Sequence, residues 1–173
     1  MKLLVFLLLT IGIAAFSWPT LRNPRAHGFF RFFAFEMTIL LVLANSKYWF
    51  QDPFTLRQII SWLLLIGSVL LVIHGVYLLR KVGEPVVGLE DTTQLVKSGA
   101  YSYIRHPMYC SLLLFGAGAL LKHFSLTSVS LCLALIAFLI ATARIEEEEN
   151  TLRFGMQYTD YLKKTKMFVP YIF

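Results

Sequence analysis

The chain has 173 residues, of which 57% are hydrophobic and 15% charged, and its mean hydropathy is +0.66. This composition excludes an ordinary water-soluble domain, because a core of this size cannot take up so many apolar side chains. The net charge of +6 raises the question of nucleic-acid binding, which the positions of the cations decide below.

The first apolar block, Leu3 to Phe16, follows a basic residue and has two interpretations. A short basic start and an apolar core are typical of a signal peptide, but the residues after the block form a poor cleavage site. Trp18 and Pro19 suggest an interfacial anchor that ends a helix. We therefore expect this block to be the first transmembrane helix.

Two further blocks predict the second and third transmembrane helices. The second runs from about Phe29 to Phe50 and carries Arg31 and Glu36 near its start, so these charges are expected at the interface or inside the bundle. The third, Ile59 to Leu79, is flanked by arginine and lysine and is the clearest candidate.

A polar, glycine-rich and proline-rich stretch from Val82 to Ile104 predicts a loop. It is followed by Met108 to Leu121 and Phe124 to Ala143, two apolar blocks separated only by Lys122-His123, which indicate an antiparallel helical hairpin with a short first helix. The last part of the chain, Arg144 to Phe173, opens with four glutamates and ends in a basic tail.

The blocks together predict an all-α integral membrane bundle of about five transmembrane helices with a cytoplasmic C-terminal cassette. We divide the chain into residues 1–82, with the first three helices, and residues 83–173, with the loop, the hairpin and the tail. Cys110 and Cys132 lie inside apolar blocks and are interpreted as small buried residues, so no metal site is predicted.

The distribution of lysine and arginine predicts which side faces the cytoplasm. With five spans, four of the sixteen cations fall on one side of the membrane and the other twelve on the opposite side, together with the C-terminus. The positive-inside rule then places the N-terminus outside and the C-terminus in the cytoplasm. Because the rule and anionic lipid account for the basic residues, no nucleic-acid partner is predicted.

Two polar clusters are candidates for chemistry. The first, Lys97 to Tyr109, leads into the fourth helix, and its Arg105 and His106 could instead be interfacial cations at a helix start. The second is Arg144 with Glu146 to Glu149; at 100° per residue four consecutive glutamates cannot all face solvent, although a solvated charge run remains the alternative.

Counting residues from the turn at Lys122-His123 brings His106 level with about Ile140. The glutamates would then lie roughly 10 Å farther along, at 1.5 Å per residue. Such a gap would suit a small bound molecule between the two clusters.

These clusters carry a family resemblance. The residues concerned are Gln94-Leu95-Val96-Lys97-Ser98-Gly99-Ala100-Tyr101, Arg105-His106-Pro107-Met108-Tyr109, Arg144 with the glutamates, Phe154-Gly155, Tyr158 and Tyr161. In this order around a hairpin, from about Thr93 to Pro170, they resemble the isoprenylcysteine carboxyl methyltransferase and phospholipid methyltransferase family. The resemblance implies methyl transfer from S-adenosyl-L-methionine to a membrane-embedded lipidic acceptor, either a prenylcysteine-like carboxylate or a phospholipid amine.

The resemblance also implies roles for individual residues. Arg144, facing the acceptor, and Glu148 would be the catalytic residues. The cofactor would contact Gln94, Leu95, Val96, Tyr101, His106, Pro107, Tyr109, Glu147 and Glu148. If the family pattern is aligned on Phe154-Gly155, its glutamates fall on Glu146 and Glu147. If it is aligned on Arg144 and Leu152, they fall on Glu148 and Glu149. Glu148 is preferred, with Glu147 next. Ser111 stands where the family often has glycine.

The residue types suit that chemistry. A carboxylate can hold the ammonium group of the cofactor, imidazole or backbone donors its carboxylate, and aromatic rings its adenine or sulfonium. Two alternatives remain open: an NADPH-dependent sterol- or steroid-type membrane reductase with a similar hairpin, and a noncatalytic membrane subunit that keeps the cassette for structure. Oligomeric state is not predicted.

Overall fold

The structure, a computed structural model, describes residues 1–86, 88–89 and 91–172. In this part of the chain it contains six α-helices. They are α1 (Lys2–Leu21), α2 (His27–Asn45), α3 (Leu56–Val82), α4 (Pro107–Lys122), α5 (Leu126–Phe154) and α6 (Met156–Lys164). Single 3₁₀ turns lie at Ser46–Tyr48 and Gly99–Ser102.

The lengths of the helices confirm an all-α membrane protein. The four segments Lys2–Leu21, His27–Tyr48, Leu56–Val82 and Leu126–Phe154 are long and apolar enough to cross a bilayer. Helix α4 is apolar but has only 16 residues, or about 24 Å at 1.5 Å per residue, so the expectation of a short fourth helix is confirmed. The expectation that α1 ends at Trp18-Pro19 is wrong, because the helix continues through Pro19 to Leu21.

Local sequence explains where the last three helices begin. Pro107 opens α4, where its missing N–H is not needed. The hydroxyl of Ser125 accepts a hydrogen bond of 3.2 Å from the backbone N–H of Ser128 and so caps α5. Gly155 separates α5 from α6 with φ of +56°, a left-handed conformation that glycine adopts without a Cβ clash.

The chain forms two compact units, each built from two separate stretches of sequence. Unit 1 comprises residues 1–66 and 113–146, and unit 2 comprises residues 67–112 and 147–173. The predicted boundary between residues 82 and 83 stays a prediction, because it separates the first three helices from the cassette that the sequence analysis assigns to function.

In unit 1, small residues bring helices close together. A Cβ added to Gly116 would lie 2.5 Å from Leu135, and one added to Gly118 would lie 2.9 Å from Leu65, so both glycines lie where helices pack closely. Hydrogen bonds support this packing: Asn45 Nδ2 donates to the Ala119 carbonyl at 2.8 Å, and Ser61 Oγ donates to the Gly118 carbonyl at 2.7 Å.

A buried lysine also belongs to unit 1. The side chain of Lys122 is fully buried, and its Nζ donates to Gln58 Oε1 at 3.0 Å. The same ammonium lies 3.7 Å from the ring centroid of Trp62. A cation–π contact and an amide oxygen thus replace part of the water that the ammonium loses.

Unit 2 contains the second half of α3, the loop before α4 and the C-terminal residues. Leu78, Val96 and Tyr101 form a buried cluster. Gly99, with φ of +58°, lets the loop approach α3, and the Ala100 N–H donates to His74 Nε2 at 3.3 Å. His74 is therefore a hydrogen-bonded structural residue.

Candidate active site

The centre of the candidate site is an interaction of three side chains, all within unit 2. Glu147 Oε1 accepts a hydrogen bond from Arg105 Nε at 2.5 Å and lies 3.2 Å from His106 Nε2. The side chains of Arg105, His106 and Glu147 are only 11%, 3% and 16% exposed. An ion pair this deeply placed is held by well-aligned hydrogen bonds rather than by charge alone.

The backbone around His106 is fixed from both sides. Its carbonyl accepts the first helical bond of α4, from the Cys110 N–H at 2.9 Å. Its own N–H donates to the Met167 carbonyl at 3.2 Å. Ile104 and Lys166 form a parallel bridge just before it, so the residues that precede α4 are paired with the C-terminal segment.

Aromatic rings enclose the imidazole. The ring of Tyr109, one turn into α4, stacks on His106 with a centroid distance of 5.4 Å and an interplanar angle of 14°. Phe168 approaches from the C-terminal segment at 6.1 Å. Pro107 is fully buried beside them. These groups make the neighbourhood of the imidazole apolar, which strengthens its interaction with Glu147.

The predicted residues of the preceding loop have different environments. Val96 and Tyr101 are buried in the cluster with Leu78, and Leu95 is partly buried. Gln94 is exposed; its Nε2 donates to Glu84 Oε2 at 3.1 Å. Among the predicted cofactor residues, the structure thus brings His106, Pro107, Tyr109 and Glu147 together and leaves Gln94 at the surface.

The two residues predicted as catalytic are both exposed. Glu148 forms no hydrogen bond or ion pair with any residue that the structure describes, whereas Glu147 contacts His106 directly. Arg144 lies on the part of α5 that belongs to unit 1. Their roles stay predictions, and the geometry makes Glu147 the better candidate for the carboxylate.

The predicted gap between the two clusters does not exist, because His106 and Glu147 are in hydrogen-bond contact. The residue count assumed a turn centred on Lys122-His123, but α4 ends at Lys122 and α5 begins only at Leu126. The turn is therefore centred farther along the chain than the count assumed, which brings the glutamates nearer to His106, and the long glutamate side chain covers part of the remaining distance.

Sequence reasoning missed three contributors to this site. Arg105 belongs to the first candidate cluster, with an interfacial cation as the alternative, but received no role in the site; it pairs with Glu147, and its Nη1 also donates to the Thr165 carbonyl at 2.5 Å. Phe168 packs near His106. A signal for Arg105 was present, because it stands next to His106, a predicted cofactor residue, and an arginine that is buried requires an acidic partner. The tail residues act largely through main-chain atoms and leave no such signal.

The bonding of Glu147 determines what the site can do. Both described donors go to Oε1, and Oε2 forms no hydrogen bond with any residue that the structure describes. Arg105 compensates the negative charge, so the carboxylate can stay ionised while partly buried. The arrangement presents one carboxylate oxygen beside an imidazole and aromatic rings, which suits recognition of an ammonium group.

A model of the isoprenylcysteine carboxyl methyltransferase family matches residues 58–154. A protein-S-isoprenylcysteine O-methyltransferase of Xenopus laevis is 34% identical over 136 aligned positions, and the match covers 68% of this chain and 43% of the frog protein. A probable protein-S-isoprenylcysteine O-methyltransferase of Oryza sativa subsp. indica is 30% identical over 143 aligned positions, and the match covers 77% of this chain and 68% of the rice protein.

A third relative has a different name. The cobalt-zinc-cadmium resistance protein CzcN of Cupriavidus metallidurans is 38% identical over 88 residues, 49% of this chain and 39% of that protein. In the described residues, no group of three or more His, Cys, Asp or Glu side chains is placed to hold a metal ion. The chain thus spans less than half the length of the frog and Cupriavidus proteins and about two thirds of the rice protein.

The long apolar helices and the Arg105–His106–Glu147 cluster define an integral membrane protein with a buried polar site at the start of one helix. Because the family model covers more than half of the chain, this protein belongs to the isoprenylcysteine carboxyl methyltransferase family.

Proposed function

We propose that this protein is a membrane methyltransferase that uses S-adenosyl-L-methionine to methylate the carboxylate of a lipidic, prenylcysteine-like acceptor. Membership of the family supports the reaction class. The names of the frog and rice relatives favour the carboxylate over a phospholipid amine. The observation that carries the proposal is Glu147, held on one oxygen by Arg105 and His106, with its second oxygen unbonded among the described residues.

The side chains of this site fit S-adenosyl-L-methionine. Glu147 Oε2 would accept hydrogen bonds from its ammonium group, while the rings of His106 and Tyr109 and the buried Pro107 would form an apolar wall. Leu95, Val96 and Tyr101 would support the same pocket from the preceding loop, as the family resemblance implies. When bound, the cofactor would supply a methyl group on a sulfonium: a bond would form between an acceptor carboxylate oxygen and the methyl carbon while the carbon–sulfur bond breaks, with S-adenosylhomocysteine as the leaving group.

The protein would contribute to such a reaction by positioning the reacting groups and by excluding water from the site. Methyl transfer from a sulfonium to an ionised carboxylate involves no proton transfer, so a general acid or base is not required. Arg105 and His106 hydrogen-bond to Glu147 and would hold it in one orientation. The rings of Tyr109 and Phe168, which pack near His106, would limit water around the imidazole. Arg144 would orient the acceptor carboxylate with its guanidinium, and Glu148 remains the second candidate for contact with the cofactor.

We also propose the orientation that the cations predict, with the N-terminus outside and the C-terminus in the cytoplasm. Twelve of sixteen lysines and arginines fall on the side of the C-terminus, which supports this orientation. The site would then face the compartment that contains the soluble methyl donor.

The first experiment measures cofactor binding to the purified protein in lipid nanodiscs. We expect saturable binding of S-adenosylhomocysteine and no binding of NADPH. The reverse result would make the protein a membrane reductase. Binding of neither compound, with no labelling of any lipid, would indicate a noncatalytic subunit.

The second experiment identifies the acceptor. Nanodiscs containing the protein receive methyl-labelled S-adenosyl-L-methionine together with either an S-farnesyl cysteine or phosphatidylethanolamine. We expect the label to be on the farnesyl cysteine and to be released by alkali as methanol. A methyl ester hydrolyses in alkali, whereas an N-methyl group does not. Alkali-stable label on phosphatidylethanolamine would assign the phospholipid amine as acceptor instead.

A further inference from the structure

The C-terminal strap, defined as residues 161–168, lies outside the segment that the family model matches, which ends at residue 154. It nevertheless runs beside the residues that lead into α4. Tyr161, Thr165, Met167 and Phe168 of the strap are all less than 9% exposed. These four side chains are therefore packed inside unit 2 rather than exposed.

Main-chain hydrogen bonds join the strap to the Arg105-His106 pair. The Lys166 N–H donates to the Tyr103 carbonyl at 3.2 Å, and the Lys166 carbonyl accepts the Arg105 N–H at 2.7 Å. The Met167 carbonyl accepts the His106 N–H at 3.2 Å. Successive residues of the two segments are therefore locked in a parallel register.

Side chains add two more connections. Arg105 donates through Nη1 to the Thr165 carbonyl and through Nε to Glu147 Oε1, so one planar guanidinium joins the strap to the carboxylate. Tyr161 donates through its hydroxyl to the Tyr101 carbonyl at 2.6 Å. Burial raises the pKa of the Tyr161 hydroxyl well above its usual value, so it remains a donor at neutral pH.

We propose that the strap is a positioning element of the cofactor site, with Tyr161 and Arg105 as its positioning residues. The inference rests on the proposed function. Three of the proposed cofactor residues are attached to the strap: Tyr101 through Tyr161, His106 through its own N–H, and Glu147 through Arg105. Loosening the strap changes where these groups lie and thereby weakens cofactor binding without removing any group that touches the cofactor.

The test uses Tyr161→Phe, which removes one hydroxyl and keeps the ring that fills the core. The matched control is Tyr103→Phe in the same loop, because Tyr103 is 55% exposed. For the full-length protein in nanodiscs we expect S-adenosylhomocysteine to bind roughly three- to ten-fold more weakly to Tyr161→Phe, as for the loss of one buried hydrogen bond. The control should bind as tightly as the unmodified protein.

Hydrogen exchange at the Arg105 and His106 amides provides a readout that needs no cofactor. Both amides donate to the strap, so they should exchange faster in Tyr161→Phe than in Tyr103→Phe. If the unmodified protein binds no S-adenosylhomocysteine, the proposed function fails, and the exchange rates alone then decide whether the strap holds this segment.

The proposal is overturned if Tyr161→Phe binds S-adenosylhomocysteine within two-fold of the unmodified protein. If this variant does not fold, Arg105→Lys replaces it, since lysine keeps the charge beside Glu147 and lacks the planar fork that reaches both acceptors. Folded Arg105→Lys with unchanged cofactor affinity would equally overturn the proposal.

Discussion

His106, the residue before α4, and Glu147, in the last part of α5, are 41 residues apart in the sequence, and their side chains lie 3.2 Å from each other. Arg105 donates to the same carboxylate oxygen. The site therefore depends on a tertiary contact between the residues before α4 and the last part of α5. Each substitution below is chosen to separate one such interaction from the packing around it.

Replacing Glu147 should weaken cofactor binding more than replacing its neighbour. In Glu147→Gln the ammonium of the cofactor loses a charged acceptor, which should weaken S-adenosylhomocysteine binding roughly 10- to 100-fold. Glu148→Gln changes an exposed side chain and should have little effect. Calorimetric titration of the two purified variants makes the comparison. Equal or reversed effects would return the assignment to Glu148, the residue that the sequence favoured.

Arg105 and Glu147 should be coupled in stability. Arg105→Gln leaves a carboxylate partly buried without its cation, and Glu147→Gln does the reverse, so each should lower the free energy of unfolding by about 3 kcal/mol. The double variant should lose less than the sum of the two single losses, because it leaves no unpaired charge. Thermal unfolding in one detergent gives all four values. Additive losses would show that the pair does not interact.

Gly99 should tolerate no side chain. Its φ is +58°, and an added Cβ would lie 2.6 Å from His74 Nε2. Gly99→Ala should therefore destabilise the protein by roughly 1–3 kcal/mol from backbone strain and crowding. Gly88→Ala is the control, since no residue that the structure describes comes within 4 Å of a Cβ at that position. Melting temperatures distinguish the two, and similar values would contradict the described loop conformation.

The buried ammonium of Lys122 should stabilise unit 1. Lys122→Met keeps much of the side-chain volume but leaves Gln58 Oε1 without its donor and Trp62 without its cation. We expect a loss of about 1–3 kcal/mol in the free energy of unfolding. Lys163→Met removes an exposed lysine that pairs with the equally exposed Asp160 and should change stability by less than about 0.5 kcal/mol. A stabilised Lys122→Met variant would refute this role.

Composition and the length of the apolar blocks were sufficient to predict the class of fold. The apolar blocks correspond to α1 to α5, because a lipid solvent imposes long uninterrupted apolar runs. The ends were less predictable: α1 passes through Pro19 to Leu21, and α5 extends to Phe154. A proline near a helix end and a charged continuation beyond an apolar block leave the stopping point open.

The candidate site was predictable in its components and less so in its geometry. His106, Tyr109 and Glu147 were each proposed from the sequence, and they lie together. Which glutamate faces His106 depends on the length of the turn between α4 and α5, since one residue rotates the helix face by 100°. The contribution of Thr165 was not accessible, because it binds Arg105 through a carbonyl that every residue type possesses.

That use of carbonyls has a consequence for the evolution of the family. Arg105 and His106 are held by main-chain oxygens of Thr165, Lys166 and Met167, whose identities can change while the bonds persist. Relatives should therefore tolerate substitutions in this stretch more readily than insertions or deletions, which would displace every acceptor at once. Spacing, rather than residue identity, is the property to compare when more distant members are aligned.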